Sequence, residues 1–102
     1  MKAETFADVF DALADTPEEA ANLKARADLL TAIRDCVKGW GVPEGQAAGL
    51  LGITRPRLND LTRGKLDKFS LDALVNIAAA ARLNIEIRVK QIARPAAAAT
   101  AD

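Results

Sequence analysis

The chemistry this chain is best equipped for is the binding of anions. Between positions 55 and 68 stand Arg55, Arg57, Arg63, Lys65 and Lys68 against only Asp60 and Asp67, a local charge of +3. Positions 1–22 are the opposite: Glu4, Asp8, Asp11, Asp15, Glu18 and Glu19 face Lys2 alone, a balance of −5. The formal net charge of zero thus conceals a basic patch and an acidic arm, suited either to different partners or to two solvated faces. Other chemistries are poorly served. There is no His and no Tyr, which removes the usual general base and the commonest metal ligand. The single Cys36 can form neither an internal disulfide nor a cysteine zinc site, and suits a reducing compartment. No pair of carboxylate, Lys or Cys36 stands at a recognisable catalytic spacing. No enzyme activity, metal or cofactor is expected.

The scaffold that must position these charges is small. At 102 residues the chain suits one domain. Half of it is apolar, but 22 residues are alanine and few are aromatic, which points to closely packed helices. No apolar run approaches the ~18–20 residues of a membrane span, and the first residues lack the pattern of a secretion signal. A cytoplasmic protein that does not enter a membrane is expected.

Helical spacing recurs along the chain. Phe6, Val9, Phe10 and Leu13 mark a short amphipathic helix within an arm over 1–15. Thr16-Pro17-Glu18-Glu19 reads as a helix start: a cap, a proline suited to the first helical position, and a glutamate placed to close a capping box. The face Leu23, Ala27, Leu30, Ile33 or Arg34, and Val37 then predicts a helix over 17–38, ended by Gly39-Trp40-Gly41. Cys36 and Trp40 read as core residues. Short helices follow over 44–51 and 55–63, then one opened by Ser70 with a stripe of Leu71, Leu74, Val75, Ala78 and Ala81. Asn84 is expected to end that helix in a left-handed conformation.

From 85 to 90 the period becomes two. Ile85, Ile87 and Val89 alternate with Glu86, Arg88 and Lys90, the pattern of a half-buried strand. No second strand of comparable quality is visible to satisfy its backbone. Three partners are open to it: the same strand of a second copy, its own domain, or a different protein. Residues 93–102 read as a disordered tail.

The turn between the two short helices is the most specific feature. Ala48 is small where two steeply crossed helices would meet, and Gly52 suits a left-handed turn. Leu51, Ile53, Leu58 and Leu61 fill the wedge beneath. Thr54 is placed to cap the second helix, at an end whose backbone donors favour a phosphate. The run Ala47-Ala48-Gly49-Leu50-Leu51-Gly52-Ile53-Thr54-Arg55-Pro56-Arg57-Leu58-Asn59-Asp60-Leu61-Thr62-Arg63-Gly64-Lys65, with Phe69-Ser70-Leu71-Asp72-Ala73-Leu74, resembles the Xre family of lambda-repressor-like helix-turn-helix domains. Short members of this kind, with a following strand, resemble HigA-type antitoxins and small prokaryotic regulators. The resemblance implies a mostly α bundle of about five helices, with the C-terminal β-strand pairing across a homodimer. It also implies dimeric binding to palindromic double-stranded DNA and, in some members, neutralisation of a toxin protein. One departure concerns Glu44, which stands where the family usually places a phosphate-holding Gln. Gly45 and Gly49 also weaken that first helix, by roughly 1 kcal/mol each relative to alanine.

On that frame, residues 16–83 form the DNA-binding domain, 84–92 the dimerisation strand (Ile85, Ile87, Val89) and 93–102 the tail. Arg55, Pro56, Arg57 and Asn59 are the expected base contacts of a repressor: arginine to guanine O6 and N7, asparagine to adenine, proline to a thymine methyl. Thr54, Arg63, Lys65 and Lys68 are the expected phosphate contacts. Asp60 is expected to face away from DNA or to pair with a nearby arginine. The alternative is an antitoxin whose main task is to block a basic, RNA-cleaving toxin, with the acidic arm and its Phe6/Phe10 face as the binding element. That same arm reads more simply as a helix packed on its own domain.

Overall fold

A computed structural model describes residues 16–91. The acidic arm over 1–15 and the expected tail over 93–102 lie outside the described residues.

Among the described residues, four α-helices and one 3-10 turn follow from local signals. Helix α1, Pro17–Trp40, starts where the Thr16 hydroxyl oxygen accepts from the Glu19 backbone N–H at 3.1 Å. Pro17 occupies the first turn, and Glu18 and Glu19 face the positive end of the helix dipole. The helix runs two residues beyond the expected end, through Gly39, to a left-handed Gly41. Its buried face is Ala27, Leu30 and Ile33. Of the alternatives at the fourth position Ile33 is the inward one, and Arg34 is exposed. Helix α2 is Glu44–Leu51 and helix α3 is Arg55–Thr62. A 3-10 turn at Leu66–Lys68 precedes helix α4, Leu71–Ala80, which Ser70 caps by accepting from Ala73 N–H at 3.1 Å.

Leu30, Ile33, Ala47, Ala48, Leu51, Leu58, Leu61, Phe69, Leu74, Ile77, Ala78 and Ala81 form one buried cluster. Phe69 is the largest fully buried side chain among the described residues, although it stands in a connecting segment and not in a helix. Cys36 and Trp40 pack against the cluster but are only half-buried.

Three helix ends share one device. After α2, Gly52 N–H donates to Gly49 C=O and Ile53 N–H to Ala48 C=O. After α3, Gly64 N–H donates to Leu61 C=O and Lys65 N–H to Asp60 C=O. After α4, Arg82 N–H donates to Ala79 C=O and Leu83 N–H to Ala78 C=O. Each is a Schellman turn, which needs a left-handed residue at its centre. Gly52 (φ 70°) and Gly64 (φ 73°) meet that need without a Cβ penalty, whereas Arg82 adopts it at φ 63°. The expected left-handed Asn84 is therefore corrected to Arg82. The physical reason is Leu83: a turn centred on Arg82 brings Leu83 back onto the core, and one centred on Asn84 would not.

The strand expected over 85–90 is not formed within the single chain. Residues 83–91 have no regular secondary structure, and no strand occurs among the described residues. A strand is defined by hydrogen bonds to a neighbour, and the single chain offers none at this edge. Ile85 packs on the core, while Ile87 and Val89 are 80% and 88% exposed.

Replacing Arg82 by glycine should relieve the left-handed strain and raise unfolding stability by about 1 kcal/mol. Gly52→Ala should lower it by about as much. Denaturant midpoints at constant slope measure both, and an unchanged or lowered midpoint for Arg82→Gly would contradict the strain.

Candidate nucleic-acid interface

The site is built from how α3 meets the core. Ala48 is 2% exposed and sits with Ala47 and Leu51 on the inner side of α2. The Gly52 turn then redirects the chain. Thr54 restarts it by accepting from Arg57 N–H at 3.2 Å, and Pro56 fits the first turn of α3. Leu58 and Leu61 anchor α3 inward, at 1% and 0% exposure.

Helical geometry then fixes where the polar residues of α3 point. Successive side chains are about 100° apart, so Pro56 and the capping Arg63 lie opposite Leu58 and Leu61, Asn59 and Asp60 lie about equally far round on either side, and Arg55 is at the margin. Arg55, Pro56 and Arg63 are exposed, and Asn59 and Asp60 are half-buried. Arg55 lies beside the start of α2: a Cβ at Gly45 would stand 3.7 Å from its Cδ. Gly45, which reads as a mere helix breaker in the sequence, thus faces the most exposed arginine of α3.

Arg57 falls on the inner margin. Its Nη1 donates to Lys68 C=O at 2.9 Å, and its guanidinium lies 4.3 Å from the centre of the buried Phe69 ring. It is half-buried and is not brought together with Arg55 on the outer face. A second arginine, which the sequence does not single out, grips the same segment from α1. Arg26 Nη1 donates to Leu66 C=O at 2.9 Å and to Phe69 C=O at 3.1 Å, while its Nε donates to Asn22 Oδ1 at 2.7 Å. Carbonyls 66, 68 and 69 are thus held by two charged donors from two helices. Such bonds are stronger than neutral ones, so the loop carrying Lys65 and Lys68 is fixed relative to α3.

The remaining cations face outward to different degrees. Lys65 Nζ pairs with Asp60 Oδ1 at 3.7 Å, so the partner expected for Asp60 is lysine and not arginine. Lys68 is exposed; its carbonyl accepts from Arg57 and its backbone N–H donates to Lys65 C=O. The Thr54 hydroxyl oxygen accepts at the cap, leaving its proton to donate elsewhere. Ile85, Ile87 and Val89 belong to the segment after α4, apart from this surface. No cluster of metal-ligating side chains occurs among the described residues, and none of the described helices is long and apolar enough to cross a membrane. The outer face of α3, flanked by Arg63, Lys65 and Lys68, can accept a polyanion and hydrogen-bond to groups between its charges.

The family model for a helix-turn-helix domain matches residues 12–90. No curated protein matches the chain.

Arg57→Ala removes both the carbonyl bond and the contact with Phe69. It should lower unfolding stability by about 1–2 kcal/mol, whereas Arg55→Ala should change it by less than about 0.5 kcal/mol. Chemical denaturation separates the two, and equal midpoints would show that Arg57 braces nothing.

Proposed function

The chain belongs to the helix-turn-helix domain family, and from that premise we propose that it is a sequence-specific double-stranded DNA-binding regulator that inserts α3 into the major groove. The observation that carries this reading is the polarity of α3. Its inner face is sealed by Leu58 and Leu61, while Pro56 opposite them, Arg55 at the margin and Arg63 at its end are exposed to solvent. A helix of this width fits the major groove, whose base edges carry a donor and acceptor code.

Base reading falls to Arg55, Pro56 and Asn59: a guanine edge for the arginine, an adenine edge for the amide, a methyl contact for the proline. Arg57 is left out of this base-reading set, because its guanidinium is engaged by Lys68 C=O and Phe69. Thr54, Arg63, Lys65 and Lys68 take the phosphates that border the groove. Lys65 exchanges its exposed pairing with Asp60, which is worth little in water, for a phosphate. Glu44 puts an acid in the first turn of α2 and favours contacts from the α3 side of the motif.

Residues 16–83 are the reading domain and 84–92 the dimerisation segment. Exposed Ile87 and Val89, alternating with charged residues, suit antiparallel pairing with a second copy about a two-fold axis. Such a homodimer places two reading helices about 34–36 Å apart, on a palindromic operator, where it acts as a repressor by occupying its site. The antitoxin alternative rests on the acidic arm, which lies outside the described residues, and no described feature favours it over the regulator.

Selection of bound duplexes from a random pool, with the mass of the complex measured, tests the reading. A palindromic site holding two chains is expected. Indifference to every duplex at low salt would end it. On the selected site, Arg55→Ala should weaken discrimination at one base pair per half-site by about 1–3 kcal/mol. Lys68→Ala should weaken all sequences alike. Ile87→Lys combined with Val89→Lys should give a folded monomer of poor affinity; a double variant that sediments as a dimer would place the interface elsewhere.

A further inference from the structure

Besides the loop cations, the structure brings one arginine from α1 to the end of α3. Arg34 stands thirty residues before Gly64 in the chain, yet its Nη1 lies 3.6 Å from where a Cβ at Gly64 would be. Gly64 is the left-handed centre of the turn after α3, and the guanidinium lies over the space left by its missing side chain. Arg63 and Lys65 flank that glycine in the chain, so basic residues from two parts of the sequence meet at one turn. The nearby Asp60 carboxylate is engaged by Lys65. Arg34 is exposed and has no hydrogen-bond or ion-pair partner among the described residues.

We propose that Arg34 is a phosphate contact of this interface, delivered by α1 and seated by the bare backbone of Gly64. The inference rests on the DNA-binding reading above. Arg63 lies on the outward ridge of α3, and Arg34 reaches the turn directly after it, beyond the last helical residue. A helix lying in the groove meets the sugar-phosphate rim at its ends, so a cation at this turn faces phosphate oxygens and not base edges. Arg34 and Arg63 have no ion-pair partner among the described residues, and a phosphate at this turn supplies the missing counter-charge. The guanidinium adds five donors in a plane that matches phosphate oxygens. The long helix thereby becomes part of the interface as well as of the core.

The test is a titration of labelled duplex with the full chain over a range of salt concentrations. Arg34→Gln should make the log–log salt dependence shallower by about 0.9 per bound protomer. Arg34→Lys should retain the wild-type slope. The ranking of duplex sequences and the thermal unfolding midpoint should not move in either variant. A wild-type slope in Arg34→Gln would overturn the inference alone, as would an altered ranking of sequences, which would make Arg34 a base reader. Wild-type protein that binds no duplex would overturn the DNA-binding reading and this inference with it.

Discussion

Everything outward on this molecule depends on Leu58 and Leu61 being held inward. Two fully buried leucines one turn apart leave an eight-residue helix a single orientation about its own axis. Burying each contributes roughly 1.5–3 kcal/mol, far more than the exposed polar groups on the other side can gain by turning toward the core. The left-handed residue at Gly52 makes this possible, because it lets α2 and α3 pack into one core through Ala47, Ala48 and Leu51 without a long connection. The polar face of α3 is thus a consequence of packing, and its charges are presented before any partner arrives.

The basic residues around this helix divide into two groups that composition alone does not distinguish. Arg26 and Arg57 point into the domain and bind carbonyls of the short 3-10 turn, with Phe69 as the apolar floor. Arg34, Arg55, Arg63 and Lys68 are exposed. The inward pair fixes the loop on which several outward charges sit. Pre-organisation of this kind lowers the entropic cost of ordering a loop when a ligand binds. A +3 patch is therefore not five interchangeable cations.

Much of the fold was legible because its signals are local. Thr16, Thr54 and Ser70 each cap the helix they precede, and Glu44–Leu51 runs between the expected bounds. The position of Arg57 was legible in part. Counting about 100° per residue from Leu58 and Leu61 already places it on the inner margin, but nothing in the sequence shows that Phe69 and Lys68 C=O wait there. Arg26 and Arg34 act across forty and thirty residues, and no local pattern reports such contacts. The end of α4 depends on where Leu83 can reach the core, which a search for a residue tolerant of left-handed geometry misses. The segment over 85–90 shows the converse. Its period of two is real, but a strand needs a neighbouring backbone, and periodicity does not supply one.

The most direct test is the reactivity of guanine N7, an atom that lies in the major groove. A selected duplex is methylated with dimethyl sulfate with and without bound protein. Guanines of each half-site should be protected at N7 in the complex, and methylation beforehand should prevent binding. Unchanged N7 reactivity in a stoichiometric complex would contradict major-groove entry by α3, whatever the affinity.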